Sequence, residues 1–393
     1  MKKIRPAYLR KKYHGFLKLC SVSLSLILLY QGLQLTVPLF SKGLNALTTI
    51  SAGMSFINGG VAFAQREISE YQAEDDVNFT SHAQQEDLLS DTLSSTDIIS
   101  SQPTDTSQTE SVVETTLVAE ELPAPPERPE NAGDVTDKVL TPGSSSQFVA
   151  LDSGYVKNLS ALTASQVVEY SKAALPITLE DTQQPQVLIY HTHATESYQP
   201  YDCDWYDVNY NARNTDNSQN MVAVGDVLTQ ILQEAGIGVI HDTTQHDNPS
   251  YTGAYDRSRV TIQNYLQQYP SIKVILDVHR DALQGDNLIT APTTEIEGIK
   301  TAQLMMICCA DDGSGRLPNY TQNLTFATAL QQRMETDYPT LTRPILLDDR
   351  FYNQDLSPAS ILVEVGGHGN TLPEAKNAIR LFGNTLIKVL KGQ

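Results

Sequence analysis

The chain has 393 residues and a formal net charge of −19, and 40% of its residues are hydrophobic. This length could hold two average domains, but the composition changes along the chain in a way that favours one large globular domain. The basic residues form no patch, and an acidic domain is repelled by phosphate backbones, so the composition argues against a nucleic-acid partner.

The first 40 residues predict a membrane anchor. Seven Lys and Arg residues between positions 2 and 18 precede an apolar stretch at about 19–40. That stretch is long enough to cross a hydrocarbon core of ~30 Å. The basic residues before it predict a cytoplasmic N-terminus and a domain outside the membrane. The alternative is a signal peptide cleaved near the run Val-Ala-Phe-Ala at 61–64, and it also places the remainder outside.

Residues 41–150 predict an extracytoplasmic low-complexity linker. Positions 66–150 contain 18 acidic and three basic residues and are rich in Ser, Thr, Gln and Pro. Such a segment buries too little apolar surface to offset the entropy lost on ordering. We therefore predict a cytoplasmic start with an anchor at 1–40, the linker at 41–150, and one globular domain at 151–393.

In the globular part, apolar runs of strand length alternate with helical periodicity. The predicted strands lie at 187–190, 238–240, 272–278, 287–310 (a pair) and 361–365. The predicted helices lie at 167–173, 221–235, 255–269, 321–338 and 373–390. This alternation favours an α/β fold with a mostly parallel central sheet that is flanked by helices on both faces.

Two histidines and a glutamate directly follow the first predicted strand. His191, His193 and Glu196 lie within six residues, and the spacing from His193 to Glu196 lets both side chains reach one ion from a turn or helix start. The alternative is a polar loop whose histidines merely cap the strand. The density of ligands favours a metal site.

His279 ends the strand predicted at 272–278 and is the candidate third ligand, with Asp277 or Asp281 to orient it. By itself His279 is equally well explained as a hydrogen-bonded structural histidine. Its case strengthens if this strand lies beside the strand at 187–190, as we expect, because open α/β sheets bind ligands at the carboxyl ends of their strands.

Glu364 lies inside the apolar strand at 361–365, where a carboxylate is costly to bury unless it has a partner or a task. Burial raises the pKa of a carboxyl group toward the range of a general base. The alternative is a structural ion pair with Arg257 or Arg280. We also assign Arg257, Arg280 and His368 to substrate binding.

These residues together predict an open zinc site that hydrolyses an amide. His193, Glu196 and His279, with His191 as a further candidate, would hold Zn²⁺ and leave one position open. Glu364 would be the catalytic residue that accepts a proton from water.

Several short motifs in order identify a family resemblance. They are Tyr190-His191-Thr192-His193-x-x-Glu196-Ser197, Gly236-Ile237-x-Val239, His246-Asp247-x-Pro249-Ser250-Tyr251, Arg257-Ser258, Leu276-Asp277-Val278-His279-Arg280-Asp281 and Val363-Glu364-Val365-Gly366-Gly367. Over about 180–393 the chain resembles the stage II sporulation protein P family, whose anchor and variable stalk are also similar.

The resemblance implies a zinc-dependent N-acetylmuramoyl-L-alanine amidase fold and activity on peptidoglycan, with endopeptidase activity also attributed to the family. It further implies a role in septal wall thinning and engulfment during sporulation. The implied membrane partners are two further stage II sporulation proteins, D and M. Protein D is a lytic transglycosylase. The implied location is the septal or forespore membrane, with one span and an extracytoplasmic catalytic domain.

One feature departs from the classical amidases that this family resembles. Those enzymes take their glutamate ligand from the helix after the first strand, whereas the matching stretch here, 214–221, contains no glutamate. The resemblance therefore implies that Glu196 substitutes, and it aligns His193 better than His191 with the usual first histidine.

Two other functions fit parts of the pattern. A zinc carboxypeptidase or similar metallopeptidase would also use a His-x-x-Glu pair and a distant histidine, and it would prefer short peptides to whole cell wall. A non-catalytic wall-binding scaffold would tolerate replacement of Glu364.

Overall fold

The computed structural model describes residues 116–393. The anchor predicted at 1–40 and most of the linker predicted at 41–150 lie outside the described residues. Between residues 116 and 393, no helix combines the length and the hydrophobicity that crossing a membrane requires.

The described chain contains 13 strands and five helices. The strands are β1 (Gly133–Lys138), β2 (Phe148–Ala150), β3 (Tyr155–Asn158), β4 (Val187–Tyr190), β5 (Trp205–Tyr206), β6 (Val239–His241), β7 (Val274–Asp281), β8 (Gln284–Gly285), β9 (Leu288–Ile296), β10 (Ile299–Ala302), β11 (Leu304–Cys309), β12 (Ile345–Asp348) and β13 (Ala359–Gly367). The helices are α1 (Ala164–Ser171), α2 (Met221–Glu234), α3 (Ala254–Gln268), α4 (Tyr320–Asp337) and α5 (Leu372–Lys391).

Eight strands form the larger sheet, in the order β2-β3-β12-β11-β13-β7-β4-β6. The four strands β13, β7, β4 and β6 are parallel to one another. The next strand, β11, is antiparallel to β13 and belongs with β12 and β3 to a group that runs the opposite way. The α/β class is as predicted. Strands are parallel within each of these two groups, but the groups run in opposite directions, so the sheet as a whole is mixed.

Side chains alternate between the two faces of this sheet, as the period of a strand requires. Val187 and Ile189 of β4 belong to the main core, which also contains residues of α2, α4 and α5. Leu188 and Tyr190 belong to a second cluster that includes Ile262 of α3. We call these the α2 face and the α3 face. Each such side chain, when fully buried, contributes about 1.5–3 kcal/mol through the hydrophobic effect.

The helices begin and end where local chemistry dictates. The side chain of Asn220 accepts a hydrogen bond from the Val222 amide at 2.9 Å and caps α2. The helix α3 ends before Pro270, and α5 has Pro373 in its first turn. The predicted helices therefore match the observed ones to within a few residues.

The linker predicted at 41–150 is corrected at its C-terminal end, because residues before 151 are part of the fold. The strand β1 lies within a smaller sheet, parallel to β9 and antiparallel to β5. Upstream of it, the Val118 backbone and the Asn377 side chain of α5 exchange two hydrogen bonds, of 3.0 and 2.9 Å. Only Gly133 and Val135 of β1 are buried, so its polar composition resembles a linker while its backbone is paired.

The apolar region at 287–310, predicted as a strand pair, contains three strands. The strands β9 and β10 form a hairpin in which Glu297 and Gly298 have positive φ angles. The chain then crosses into the larger sheet as β11. Residues 287–310 therefore connect the two sheets.

We expect a fragment that begins at residue 151 to be less stable than one that begins at residue 116. The shorter fragment loses β1 and β2 and leaves the backbone of β9 without its parallel partner. Thermal unfolding followed by circular dichroism measures the difference as a lower midpoint for the 151–393 fragment. Equal midpoints would show that the segment before residue 151 adds nothing to the fold.

Candidate active site

Three neighbouring strands bring the predicted site residues to one edge of the larger sheet. The strands β13, β7 and β4 are adjacent and parallel, so their carboxyl ends meet at the same edge. His193 and Glu196 follow β4, His279 lies on β7, and Glu364 lies on β13. The expectation that the two histidine-bearing segments are neighbours is therefore confirmed.

His279 lies between two carboxylates on the α3 face. Its Nδ1 atom is 3.4 Å from Glu196 Oε2, and its Nε2 atom is 2.8 Å from Asp277 Oδ1. Burial alone would lower the pKa of His279, but the charges of Asp277 and Glu196 outweigh burial and raise that pKa well above its usual value.

Asp277, rather than Asp281, orients His279. The Asp277 carboxylate also accepts hydrogen bonds from the Thr192 amide at 2.9 Å and the Thr192 hydroxyl at 2.8 Å. Asp281 instead accepts a 2.6 Å hydrogen bond from Arg343. Asp277 thereby connects the segment after β4 to the histidine on β7.

His193 faces His279 across the site. The two rings are edge to face, with their centroids 5.3 Å apart, and the other side of His193 stacks on Tyr251 at 4.2 Å. Burial lowers the pKa of His193 to about 3. Its Nδ1 atom makes no hydrogen bond and lies 4.0 Å from Asp247.

Glu196 is surrounded by positive charge. One carboxylate oxygen lies 3.8 Å from both Arg213 and Arg280, and the other is 3.3 Å from the Arg280 amide. Burial would raise the pKa of Glu196, but Arg280, together with His279 and Arg213, lowers it below its usual value. The residue is therefore a carboxylate at neutral pH.

Glu364 is fully buried and directly opposite His279 in the register of β13 and β7. Paired residues of parallel strands project to the same side of the sheet, so both belong to the α3 face. The two arginines considered as its ion-pair partners are engaged elsewhere. Arg257 donates to the carbonyls of residues 246, 250 and 252, and Arg280 donates to those of residues 197 and 212.

The two glycines after Glu364 allow β13 to bulge. The pairing with β7 shifts between Glu364 and Gly367, and Gly366 has a φ angle of 68°. A side chain at Gly366 would place its Cβ atom 2.7 Å from Asn370 Oδ1. Glycine is therefore required here by both conformation and space.

His368 follows this bulge and is 6% exposed. Its amide donates to the Asp281 carbonyl at 2.9 Å, and neither ring nitrogen makes a hydrogen bond. Burial, together with the charge of Arg280, lowers the pKa of His368 to about 3. The ring is therefore neutral and has two nitrogens available for a ligand.

His191 is not brought to this cluster. His191 directly follows β4 and, like Val187 and Ile189, projects to the α2 face. There its Nδ1 atom contacts the Val278 carbonyl at 2.7 Å, and its Nε2 atom contacts His241 at 2.9 Å. The candidate ligands lie on the other side of the sheet. Because β4 ends at Tyr190, the turn at 192–195 redirects the chain and carries His193 to the α3 face, next to Tyr255. This turn separates His191 from His193, although both were predicted as ligands.

Arg213 is a site residue that the sequence analysis did not identify. Its guanidinium is 3.0 Å from Asp247 and lies over the ring of Tyr251, 4.7 Å from the centroid. It belongs to the irregular segment between β5 and α2, where no periodicity or motif indicated a role. The side chain is 26% exposed.

The residues present fit a zinc ion by their chemistry. Two imidazoles and a carboxylate are common zinc ligands, and one buried ring nitrogen, His193 Nδ1, makes no hydrogen bond. Across residues 116–393, however, no three His, Cys, Asp or Glu side chains converge closely enough to hold a metal as they stand. Holding zinc would therefore require these side chains to turn.

Some solved amidase structures show a weak likeness to the chain. One is the CwlD amidase from Clostridioides difficile in complex with the GerS lipoprotein, at 13% identity, covering 53% of this chain and all of that one, with a TM-score of 0.32. Another is the N-acetylmuramyl-L-alanine amidase Ami1 from Mycobacterium smegmatis, which is 11% identical. The match covers 54% of this chain and 100% of that one, with a TM-score of 0.33. Scores this low do not establish a shared fold.

Sequence comparison is more specific. The chain is 30% identical over 203 residues to the stage II sporulation protein P of Bacillus subtilis (strain 168). This match covers 49% of this chain and 48% of that protein. The match thus spans about half the length of the curated relative. The family model for stage II sporulation protein P matches residues 48–387. The chain therefore belongs to the stage II sporulation protein P family.

Proposed function

We propose that this protein is a zinc-dependent N-acetylmuramoyl-L-alanine amidase that hydrolyses peptidoglycan. The bond cleaved would be the amide between the lactyl group of N-acetylmuramic acid and the L-alanine of the stem peptide. The observation that carries the proposal is the meeting of His193, Glu196 and His279 at one sheet edge, beside the buried Glu364. Membership of a sporulation family supports a cell-wall substrate.

His193, Glu196 and His279 would hold the zinc ion. When bound, zinc supplies Lewis acidity to the scissile carbonyl and to water. Asp277 would keep the His279 ring oriented through its hydrogen bonds to Thr192. Arg280 and Arg213 would keep Glu196 ionised and therefore able to coordinate a metal.

Glu364 would act as the general base. Its carboxylate accepts a proton from the attacking water and then delivers that proton to the nitrogen of the leaving L-alanine, so the carboxylate is regenerated in each cycle. Its position opposite His279 in the register of β13 and β7 supports a role beside the proposed ligands.

The three residues assigned to substrate binding would have different tasks. His368 is the best placed to bind substrate, because both of its ring nitrogens are available. Arg280 and Arg257 donate to backbone carbonyls around the site. They would therefore shape the loops that face the glycan and the peptide.

The cellular role proposed here is septal wall thinning and engulfment during sporulation. The protein would act at the septal or forespore membrane, anchored by residues 1–40, beside the stage II sporulation proteins D and M. Endopeptidase cleavage of cross-links would accompany the amidase activity.

We expect the purified whole chain to bind about one zinc ion and His279→Ala to abolish that binding, because the ring is the central member of the proposed ligand set. Elemental analysis after dialysis measures the metal content. As a matched control, His246→Gln changes a buried histidine that contacts Asp242 outside the set and should keep its zinc. Full zinc occupancy in the His279 variant would contradict the assignment of His279 as a ligand.

We expect Glu364→Gln to fold and to keep its zinc while losing wall hydrolysis by about 100-fold or more, because glutamine keeps the shape but cannot accept the proton. Release of stem peptides from purified peptidoglycan, identified by mass spectrometry, measures this activity and shows which bond is cut. Glu335→Gln, a carboxylate on α4 that accepts hydrogen bonds from Thr342, is the control and should remain active.

Two outcomes would contradict the role of Glu364. Loss of zinc from Glu364→Gln would make Glu364 a ligand and would remove Glu196 from that role. Near-normal hydrolysis would place the general base elsewhere.

The choice of substrate tests the kind of enzyme. Cleavage of short peptides but not of cell wall would favour a carboxypeptidase-like enzyme instead.

We expect protease added outside spheroplasts to release the folded domain described at 116–393. The basic residues before the apolar stretch at 19–40 predict that the N-terminus stays inside and the domain outside. Immunoblotting of the released fragment measures the orientation, and a cytoplasmic protein serves as the control for intact membranes. Protection of the domain from protease would show that the orientation is reversed.

A further inference from the structure

Two histidines outside the proposed ligand set form a buried chain of contacts on the α2 face. His191 Nδ1 is 2.7 Å from the Val278 carbonyl oxygen, and His191 Nε2 is 2.9 Å from His241 Nε2. His241 Nδ1 in turn lies 3.0 Å from the carboxylate of Asp226, whose side chain is 64% exposed. The chain runs from the surface of α2 to the backbone of β7.

The two ends of this chain determine two of its donors. A carbonyl oxygen can only accept, so His191 donates to Val278 through Nδ1. The Asp226 carboxylate also accepts, so His241 donates to it through Nδ1. Between these ends, the Nε2 atoms of the two rings lie 2.9 Å apart, a distance at which one proton joins them.

The contact lies where the backbone pairing of β4 and β7 stops. The last paired residues are Tyr190 and Asp277, while β7 continues to Asp281. The Val278 carbonyl is the next acceptor along β7, and the His191 side chain occupies the place of the missing backbone donor. His279 is the residue immediately after that carbonyl.

Gly225 on α2 makes room for the two rings. A Cβ atom at this position would lie 2.4 Å from His241 Nε2 and 2.6 Å from His191 Nε2. Glycine inside a helix costs about 1 kcal/mol relative to alanine. Its presence at the closest approach of both nitrogens shows that the packing of α2 is built around this contact.

We propose that His241 is a positioning residue for the site, acting through His191 and the Val278 carbonyl to hold the end of β7 that carries His279. The proposal rests on the proposed function, because the geometry it maintains is that of the zinc ligands and Glu364. His241 itself lies on the α2 face, away from His193 and His279.

Hydrogen exchange and catalysis in the whole chain test this role. In His241→Phe, which keeps a ring but removes the nitrogen that contacts His191, we expect backbone amides of residues 274–281 to exchange about tenfold faster. We also expect turnover on peptidoglycan to fall about tenfold at an unchanged apparent KM, because the ligand is misplaced rather than the substrate site altered. His241→Gln places an amide donor near the position of Nε2 and should restore both.

Gly225→Ala should produce the same two changes, because its Cβ atom would push the rings apart. Its matched control is Gly383→Ala on α5, where the nearest atom is a flexible methyl of Ile231 at 3.1 Å, and this variant should resemble the unmodified chain. The proposal is overturned if His241→Phe leaves exchange at 274–281 unchanged, or if His241→Gln fails to restore it. If the unmodified chain releases no product, the proposed function fails, while the exchange comparison still decides the role of His241.

Discussion

The alternation of side chains across three neighbouring strands is the constraint on which the site depends. On β7, residues 277 and 279 face α3, while residue 278 packs in the main core on the α2 face. Because β13 pairs in register with β7, Glu364 shares the face of His279. A shift of one residue in either strand would move one of them to the opposite face.

Buried charge is the cost of this arrangement, and the surroundings offset it. Glu196, Asp277 and His279 are each less than 10% exposed, and an isolated ion at that depth would be strongly destabilising. Glu196 is compensated by two arginines and an imidazole, and Asp277 by Thr192 and the same imidazole. Arg280 contributes most to lowering the pKa of Glu196, and Asp277 contributes most to raising the pKa of His279. Glu196 and His279 also stabilise each other's charged forms.

The sequence predicted those features that have a local cause. The buried strand at 187–190 and the capped helix beginning at Met221 depend on neighbouring residues, and both are found where expected. Glu196 stood out because it follows an apolar strand together with two histidines, and His279 because it ends another such strand. Glu364 stood out because a carboxylate inside an apolar strand is costly to bury without a partner or a task.

Features with a distant cause could not be predicted in this way. The strand β1 is mostly polar, and it forms because its backbone pairs with that of β9, some 150 residues later in the chain. Arg213 gains its place only when the loop before α2 folds over the site. His191 was predicted as a ligand by its nearness in sequence to His193, whereas the face it occupies is determined by the continuation of β4 toward α2.

Consecutive residues of β7 serve both faces of the sheet, and this explains why a histidine-rich segment follows β4. The carbonyl of Val278 takes its hydrogen bond from His191 on the α2 face, while His279 meets Asp277 and Glu196 on the other. In a buried strand, an unpaired carbonyl at the point where the ladder ends would allow the strand to fray. His191 therefore satisfies a backbone need, and His193, two residues later, is left for the site. The two histidines have similar sequence surroundings but opposite physical tasks.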